Sequence, residues 1–172
     1  MHSSTSETPS TPLSTWKVEP NCDEKQLAIL AGQLAKKLEP GHWVLLEGPL
    51  GAGKSTFARY MIEVLRDTTH SEGSPTFALA HEYEGKNGTR IIHMDLYRIE
   101  NSAELEGSGV LAYFWENPDN LIFSEWTSNW PELKQALIED LQHPLWLVQI
   151  DFSEFDQTKR QVHIKQRTKS LP

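Results

Sequence analysis

Residues 48–56 of the chain read Gly48-Pro49-Leu50-Gly51-Ala52-Gly53-Lys54-Ser55-Thr56. This stretch satisfies the pattern G-x-x-x-x-G-K-[ST], which is typical of a phosphate-binding loop, or P-loop. An apolar run at residues 43–46 precedes it, and a helix-compatible run at residues 57–65 follows it. A strand, a glycine-rich loop and a helix, in that order, form the arrangement that cradles the phosphates of a nucleotide. The sequence therefore predicts a nucleotide-binding domain.

The residue types of the loop explain how it would bind phosphate. Glycines let backbone N–H groups turn inward around phosphate oxygens, and the helix N-terminus adds a partial positive charge. Lys54 can reach the β- and γ-phosphates, while Ser55 offers its hydroxyl to Mg²⁺. The alternative, a glycine-rich turn with an exposed lysine, is disfavoured by the flanking strand and helix. The loop residues expected at the nucleotide are Gly48, Leu50, Gly51, Ala52, Gly53, Lys54, Ser55 and Thr56.

Composition limits the classes of protein to which the chain can belong. Its 172 residues suit one domain with a sizeable core, and its hydrophobic fraction of 38% is ordinary. The formal net charge of −8 argues against strong unaided binding to nucleic acid, which normally needs a basic face. No apolar run approaches the length that spans a bilayer, and the single cysteine, Cys22, fits a reducing compartment. We expect a cytoplasmic protein with no membrane association.

The ends of the chain differ in composition from its middle. Residues 1–14 are mostly Ser, Thr and Pro, which predicts a disordered leader because such a segment buries little apolar surface. The leader has neither the charged nor the apolar region of a secretory signal. We predict a single domain over residues 15–168 and a short tail at residues 169–172.

Hydrophobic periodicity predicts intermixed helices and strands. An amphipathic helix is expected over residues 21–39, with Asn21 and Glu24 as a capping box and Pro40 as a stop. Asn87-Gly88 is a strong hairpin signal, which forbids a wholly parallel sheet. The remaining predicted strands are at residues 43–46, 76–83, 90–95, 121–126, 145–152 and 160–166, and the remaining helices at residues 57–65, 101–105, 110–115 and 131–141. The fold class is α/β: a P-loop NTPase-like domain with a mixed parallel and antiparallel sheet flanked by helices.

Two carboxylates that end predicted strands are candidates for a magnesium site. Asp95 closes one apolar strand and Glu125 closes another. A P-loop protein usually supplies one acidic group to Mg²⁺ from the end of a neighbouring strand. Spacing does not separate the two: one can contact the metal while the other acts through water, or as base or orienting group for the attacking water. A strand-end carboxylate without any such role is the simpler alternative for each.

Thr76 and Trp126 are further candidates. In switch-type nucleotide hydrolases a loop threonine after the P-loop helix senses the γ-phosphate and Mg²⁺, and Thr76 has the corresponding place in the chain. A plain strand start explains Thr76 equally well. Trp126, beside Glu125, is either a core aromatic or a surface anchor for a partner, and generic burial statistics favour the core.

Histidines and a basic segment give weaker indications. His81 lacks the second histidine of the zinc motif H-E-x-x-H, and His93, inside a predicted strand, is expected to be a neighbour of the site. Residues 159–169 are locally basic. A solvated strand face and a frayed tail explain most of that charge, and a phosphate- or RNA-facing patch is the alternative.

Five blocks of sequence occur in the order that one known family shares. They are residues 48–57, Ser74-Pro75-Thr76-Phe77, His93-Met94-Asp95-Leu96-Tyr97-Arg98, Glu104-Leu105-Glu106 with Gly109 and Tyr113-Phe114, and Glu125-Trp126. Together they resemble the TsaE (YjeE) family, the ATPase of bacterial tRNA threonylcarbamoyladenosine synthesis. The resemblance runs from about residue 23 to residue 160. Many families share the P-loop, whereas H-x-D-L-Y-R followed by E-W is far more particular.

The resemblance implies an ATPase that supports threonylcarbamoyl transfer to adenosine 37 of tRNA. In that family the protein works with the TsaD–TsaB complex, and its ATP hydrolysis resets the complex between rounds. The implied ligands are ATP and Mg²⁺, and the acidic balance of this chain leaves tRNA to be contacted mainly through the partners.

The resemblance also implies roles for individual residues. Those roles are phosphate binding for Lys54, Mg²⁺ binding for Ser55 and Glu125, a Walker-B-like catalytic role for Asp95, a switch role for Thr76 and a functional position beside the metal site for Trp126. Glu24, next to Asp23, and Arg160 resemble places where the family touches the nucleotide.

Three features depart from the family pattern. Pro49 replaces an acidic residue that is common after the first P-loop glycine, and its missing N–H matters little if that amide is not a phosphate donor. Residues 127–141 form a longer and more helical segment than expected, which alters a surface available to partners. The leader rich in Ser, Thr and Pro is additional.

Other functions remain as alternatives. A P-loop small-molecule kinase would need a second-substrate pocket and usually an arginine-rich lid, and no such lid occurs between Asp95 and Glu125. A GTPase is expected to carry an N/T-K-x-D motif, which the sequence lacks. A scaffold that binds nucleotide without hydrolysis is the non-enzyme alternative. Arg98 is only a candidate for an arginine finger, so we expect weak hydrolysis by the chain alone and stimulation by its partners.

Overall fold

Eight β-strands of the described residues form one mixed sheet. The structure is a computed structural model that describes residues 12–67, 75–77 and 79–167, the second segment as backbone only. The strands are β1 (Ser14–Cys22), β2 (Trp43–Glu47), β3 (Pro75–Phe77), β4 (Ala80–Glu84), β5 (Arg90–Asp95), β6 (Leu121–Glu125), β7 (Leu145–Phe152) and β8 (Arg160–Arg167). The helices are α1 (Glu24–Ala35), α2 (Lys54–Leu65), α3 (Ser102–Gly107), α4 (Ala112–Trp115) and α5 (Pro131–Glu139).

The sheet is parallel in its centre and antiparallel towards both edges. Its strand order is β1-β8-β7-β2-β6-β5-β4-β3. The four central strands, β7, β2, β6 and β5, pair in parallel, whereas the strands outside them pair antiparallel. The predicted mixed sheet is confirmed.

Helices cover both faces of the sheet, and β2 shows why its sequence is apolar throughout. Because side chains alternate along a strand, Trp43 and Leu45 enter the core on one face while Val44 and Leu46 enter the core on the other. Helices α1 and α2 contribute to the second of these cores, and α3, α4 and α5 to the first. The result is a three-layer α/β/α arrangement in which a strand can be buried on both sides.

The register of the central strands brings polar positions to one edge of the sheet. The P-loop leaves the carboxyl end of β2, and β6 lies between β2 and β5 with Asp95 opposite Glu125. Ile91 and Phe123 belong to the core beneath α1 and α2. Alternation therefore turns Asp95 and Glu125 towards the same face, over which α2 begins.

The start of α1 differs from the prediction. Its N-cap is Asp23, whose Oδ1 accepts a hydrogen bond from the Gln26 amide at 2.8 Å, while the Gln26 side chain accepts from the Asp23 amide at 2.9 Å. The capping box assigned to Asn21 and Glu24 is wrong because Asn21 still belongs to β1. The helix also ends at Ala35, before Pro40.

The segment before β5 is a pair of strands rather than one. The strand predicted over residues 76–83 is divided into β3 and β4, which run antiparallel with Phe77 opposite Ala80. The hairpin signal at Asn87-Gly88 is confirmed: both residues have positive φ, 64° and 75°, and connect β4 to its antiparallel neighbour β5. The cap at Asn101 is also confirmed, because its side chain accepts from the Glu104 amide at 2.9 Å.

The ends of the chain add one strand that was not predicted. β1 lies at the edge of the sheet and pairs antiparallel with β8. Ser14, the last residue of the predicted leader, already belongs to β1, and residues 1–11 and 169–172 lie outside the described residues. Within the described ranges, none of the helices combines the length and apolar character needed to cross a membrane.

Candidate nucleotide site

The P-loop begins at a glycine that no other residue can replace without strain. Gly48 has a φ of 135°, and a Cβ added there would lie 1.9 Å from the backbone oxygen of Ile150 in β7. Both the left-handed backbone and this close approach require glycine. The neighbouring strand therefore fixes where the loop leaves the sheet.

The loop leads directly into the N-terminus of α2. Gly53 is the N-cap of this helix and has no side chain with which to cap it. The amides of the first helical turn lack intrahelical acceptors and carry the positive end of the helix dipole. They can therefore donate to phosphate oxygens held inside the loop.

Lys54 is buried at the centre of the loop. Its Nζ donates to the backbone oxygens of Gly48 at 2.8 Å and Pro49 at 2.9 Å, and lies 3.8 Å from the centroid of the Trp126 ring. Burial lowers the pKa of the Lys54 ammonium, and the carboxylates of Glu125, Asp95 and Glu47 oppose that shift. The ammonium is thus held inside the loop, where a phosphate oxygen would compete with the two carbonyls as its acceptor.

Ser55 and Glu125 join the loop to the end of β6. The Ser55 hydroxyl donates to Oε2 of Glu125 at 2.8 Å. The other carboxylate oxygen, Oε1, lies 2.7 Å from Nε2 of His93, and Glu125 is only 1% exposed. A serine hydroxyl and a carboxylate side by side at a P-loop are the hard oxygen donors that suit Mg²⁺.

Asp95 lies on the neighbouring strand but has a different contact. Its Oδ1 accepts a hydrogen bond from the Tyr97 amide at 2.9 Å, and its backbone pairs with that of Glu125. Asp95 is half-buried. The structure therefore distinguishes two carboxylates that spacing left equivalent: Glu125 binds the P-loop serine, and Asp95 stands beside it with one carboxylate oxygen bound to the main chain.

Trp126 is held in a left-handed turn directly after Glu125. Its φ of 64° and ψ of 27° are sparsely populated by residues other than glycine, and its ring packs 4.8 Å from that of Tyr97. Trp126 is half-buried: it packs against the core that contains Trp43 and Leu45, and it also forms one wall of the Lys54 environment. The expectation of a core aromatic therefore describes only part of this position.

A buried carboxylate beneath the P-loop was missed by the sequence analysis. Glu47, 2% exposed, accepts a hydrogen bond from the Ser128 hydroxyl, and the Nζ of Lys134 lies 3.4 Å from its Oε1. These contacts connect the last residue of β2 to the segment that follows Trp126. An acidic residue immediately before Gly48, at the end of an apolar strand, was the available sequence signal.

A cavity of about 260 Å³ opens on the α1 side of the P-loop. Glu24 lines it and accepts a hydrogen bond from the Tyr60 hydroxyl at 3.0 Å. Arg160 lines it from β8, with Nε donating to the Ala52 backbone oxygen at 2.8 Å and its guanidinium 4.5 Å from the centroid of the Phe152 ring. Gly51, Ala52, Gly53 and Thr56 also line this cavity, as does Cys22. The two outer residues suggested by resemblance therefore lie beside the loop.

Two predicted residues remain, one exposed and the other described only by its backbone. Leu50 is 66% exposed at the tip of the loop. Thr76 is placed in the backbone of β3, and its side chain lies outside what the structure describes. Within the described ranges, no group of three or more His, Cys, Asp or Glu side chains is arranged to hold a metal. A two-residue set such as Ser55 and Glu125 suits Mg²⁺, which usually keeps water and substrate phosphates as its other ligands.

Comparisons of the sequence with known proteins point to one family. Residues 22–162 match the family model described as "Threonylcarbamoyl adenosine biosynthesis protein TsaE". The chain is 41% identical over 99 residues to the "tRNA threonylcarbamoyladenosine biosynthesis protein TsaE" of Aquifex aeolicus, covering 56% of this chain and 74% of that protein. It is 36% identical over 138 residues to the protein of the same name from Rickettsia conorii, covering 80% and 71%.

A solved structure shares the fold. The crystal structure of Bacillus subtilis YdiB superposes with a TM-score of 0.60 at 22% identity, over 91% of this chain and 88% of that chain. The fold class predicted from sequence, a P-loop NTPase-like α/β domain, is confirmed. With its family model matched over most of its length, the chain belongs to the TsaE family of threonylcarbamoyl adenosine biosynthesis proteins.

Proposed function

We propose that this chain is an ATPase that serves tRNA threonylcarbamoyladenosine biosynthesis by hydrolysing ATP in a Mg²⁺-dependent reaction. Family membership supports the pathway, and the P-loop supports the nucleotide. In this proposal the γ-phosphate lies between Lys54 and the ends of β5 and β6. The kinase and scaffold alternatives differ from it in the fate of that phosphate.

The hydrogen bond between Ser55 and Glu125 is the observation that carries the proposal. It joins the first turn of α2 to the end of β6 at 2.8 Å and brings together two oxygen donors of the kind that Mg²⁺ prefers, which supports a metal site beside the phosphates. Ser55 and Glu125 would hold Mg²⁺ there, and the ion would supply positive charge against the negative charge that develops on the phosphate during hydrolysis.

Four further side chains are assigned roles in phosphate binding and hydrolysis. Lys54 donates to the phosphate oxygens in place of the Gly48 and Pro49 carbonyls that it binds in the structure. Asp95 orients the attacking water and accepts its proton, because it is the half-buried carboxylate next to Glu125. Thr76 senses the γ-phosphate from the segment after α2. Trp126 forms a wall beside Lys54 and restricts water.

The nucleoside belongs in the cavity on the α1 side of the loop. Glu24 and Arg160 line that cavity together with loop residues, so a nucleotide whose phosphates enter the loop can extend into it. Arg160 also donates to the backbone oxygens of Ala52 and Gly51, which makes it a support of the loop as well as a wall of the cavity.

The partner in this proposal is the TsaD–TsaB complex. The net charge of −8 disfavours strong binding of tRNA by this chain alone, so the partners contact the tRNA and this chain acts on the partners. The expected cytoplasmic location follows from such a role. No arginine finger is evident from the sequence, and we expect weak hydrolysis until the partners bind.

Steady-state phosphate release tests this function. Wild-type protein with Mg²⁺ and ATP should release phosphate slowly, and TsaD–TsaB should accelerate the release. Lys54→Ala should abolish nucleotide binding and hydrolysis, whereas Lys134→Ala, also a lysine near the loop but directed at Glu47, should retain most nucleotide binding. Rapid phosphate release at a rate that TsaD–TsaB does not change would contradict the proposed stimulation by the partners. Transfer of the γ-phosphate to a small molecule would favour a kinase, and nucleotide binding with no release a scaffold.

A further inference from the structure

His93 contacts the Glu125 carboxylate but has no role in the proposed reaction. It lies on β5 two residues before Asp95, and its Nε2 is 2.7 Å from Oε1 of Glu125. The His93 side chain is 15% exposed and that of Glu125 is 2% exposed. The contact is therefore sheltered from water, which strengthens a hydrogen bond to a charged oxygen.

The contact fixes the orientation of the Glu125 carboxylate. A carboxylate at the end of a flexible side chain rotates about its terminal torsion unless both oxygens are bound. Here Ser55 donates to Oε2 and His93 reaches Oε1, so the two partners define the plane of the group from opposite sides. Without His93, Ser55 would be left to orient the carboxylate through Oε2 alone, as far as the described residues show.

The sheet, rather than a loop, supplies the position of His93. β5 and β6 pair in parallel with His93 opposite Phe123 and Asp95 opposite Glu125. Alternation places His93, Asp95 and Glu125 on the α2 face. A side chain mounted on a central strand is held more precisely than one on a loop, which suits a residue that must keep another in place.

We propose that His93 is a positioning residue for the magnesium site: by donating from Nε2 to Oε1 of Glu125, it keeps Oε2 directed at Ser55 and the metal. This inference rests on the proposed function. The donor role requires the proton on Nε2, because an ionised carboxylate only accepts. Partners of metal-binding carboxylates contribute to metal affinity in this way, and their loss typically costs about 10- to 100-fold.

Binding of Mn²⁺ in the presence of ADP, followed by electron paramagnetic resonance, tests the proposal without relying on turnover. His93→Leu keeps the bulk and removes the donor, and should weaken Mn²⁺ binding by roughly 10-fold or more. His93→Gln restores an N–H donor of similar reach and should recover most of the affinity. ADP binding without metal should be unchanged in both variants.

His81→Leu is the matched control. His81 lies on β4 directly opposite His93 and is exposed. The substitution is the same as in His93→Leu. It should leave Mn²⁺ affinity at the wild-type value. If the leucine variant fails to fold, His93→Asn provides the same contrast, because its amide reaches one carbon less far than that of His93→Gln. The asparagine variant should lose Mn²⁺ affinity, while the glutamine variant should retain it.

The outcomes separate this inference from the proposed function. If wild-type protein binds ADP but shows no Mn²⁺ site, the proposed magnesium chemistry fails. If wild type binds Mn²⁺ and a folded His93→Leu or His93→Asn variant binds it equally well, the positioning role of His93 is overturned. An equal loss in His81→Leu would also overturn it, because the effect would then come from the sheet rather than from the contact with Glu125.

Discussion

At the residue scale, the site depends on which of two strand-end carboxylates meets the P-loop. Sequence spacing identified Asp95 and Glu125 together because both close apolar strands, but it contains no information about which strand lies beneath α2. The structure supplies that information through the contact of Ser55 with Glu125. Substitutions of Asp95 and Glu125 should therefore affect hydrolysis in different ways.

Glu125→Gln removes the charge of the proposed metal ligand without changing the size of the side chain. We expect hydrolysis to require at least about 10-fold more Mg²⁺, because loss of a residue that merely supports a metal ligand already lowers metal affinity by about that factor. ADP binding without metal should persist. Asp95→Asn should instead lower kcat with little change in the Mg²⁺ requirement, because it removes the proposed proton acceptor. Titrating Mg²⁺ in a phosphate-release assay measures both effects. Full activity of Glu125→Gln would move the metal role to Asp95.

The single cysteine reports on the cavity beside the loop. Cys22 lines this cavity but is only 3% exposed, and burial, reinforced by the charges of Glu19 and Asp23, raises the pKa of its thiol. Less of the reactive thiolate is therefore present at pH 8 than for a free cysteine, and the labelling rate should rise as pH increases. We expect a thiol reagent to label the native protein at least about 10-fold more slowly than the urea-unfolded chain.

Nucleotide should slow this labelling further if the nucleoside occupies the cavity. The comparison needs only native protein with and without ADP, since the chain has no second cysteine. A labelling rate that ADP leaves unchanged would contradict the placement of the nucleoside between Glu24 and Arg160.

At the element scale, the sequence predicted most helices and strands but not their exact ends. The P-loop strand and helix, the turn at Asn87-Gly88 and the cap at Asn101 were predictable because each depends on local chemistry. β1 was missed although Trp16, Val18 and Cys22 alternate with polar residues, because Pro20 inside so short a run argues against a strand. Proline is tolerated there because β1 is an edge strand that pairs only with β8. The division of residues 76–83 into β3 and β4 likewise depends on tertiary pairing.

The start of α1 gives a direct test at this scale. Asp23→Ala removes the side chain that accepts from the Gln26 amide, and should lower the free energy of unfolding by about 1 kcal/mol. Asn21→Ala, at the position that periodicity suggested, should change it by less than roughly 0.5 kcal/mol, because that residue is exposed in β1 and caps no helix. Urea unfolding monitored by circular dichroism measures both. A larger loss in Asn21→Ala would contradict the observed cap.

At the scale of the whole molecule, strand order converts separate motifs into one site. The blocks at residues 48–57, 93–98 and 125–126 are far apart in the chain, yet β2, β6 and β5 are neighbours in the sheet. The resemblance to a family anticipated that these blocks act together, whereas periodicity alone could not give the order of the strands. The sequence indicated that His93 lies near the site, but neither approach predicted its contact with Glu125 or the contacts of Glu47. Those contacts depend on the final positions of side chains from different elements.

The acidic character of the whole chain sets the expected relation to tRNA. A protein of net charge −8 in a tRNA-modification family is expected to act through partners that bind the nucleic acid. In the proposed function, its nucleotide site serves the turnover of the partner complex rather than the binding of tRNA.

Threonylcarbamoylation of tRNA by TsaD–TsaB, followed over several turnovers with ATP and Mg²⁺, tests this account most directly. With the wild-type chain, modified tRNA should continue to accumulate beyond one equivalent of the TsaD–TsaB complex. Without the chain, or with Lys54→Ala, accumulation should stop near that point. Identical progress curves with and without the wild-type chain, or full support by Lys54→Ala, would contradict the proposal that its ATP hydrolysis resets the complex.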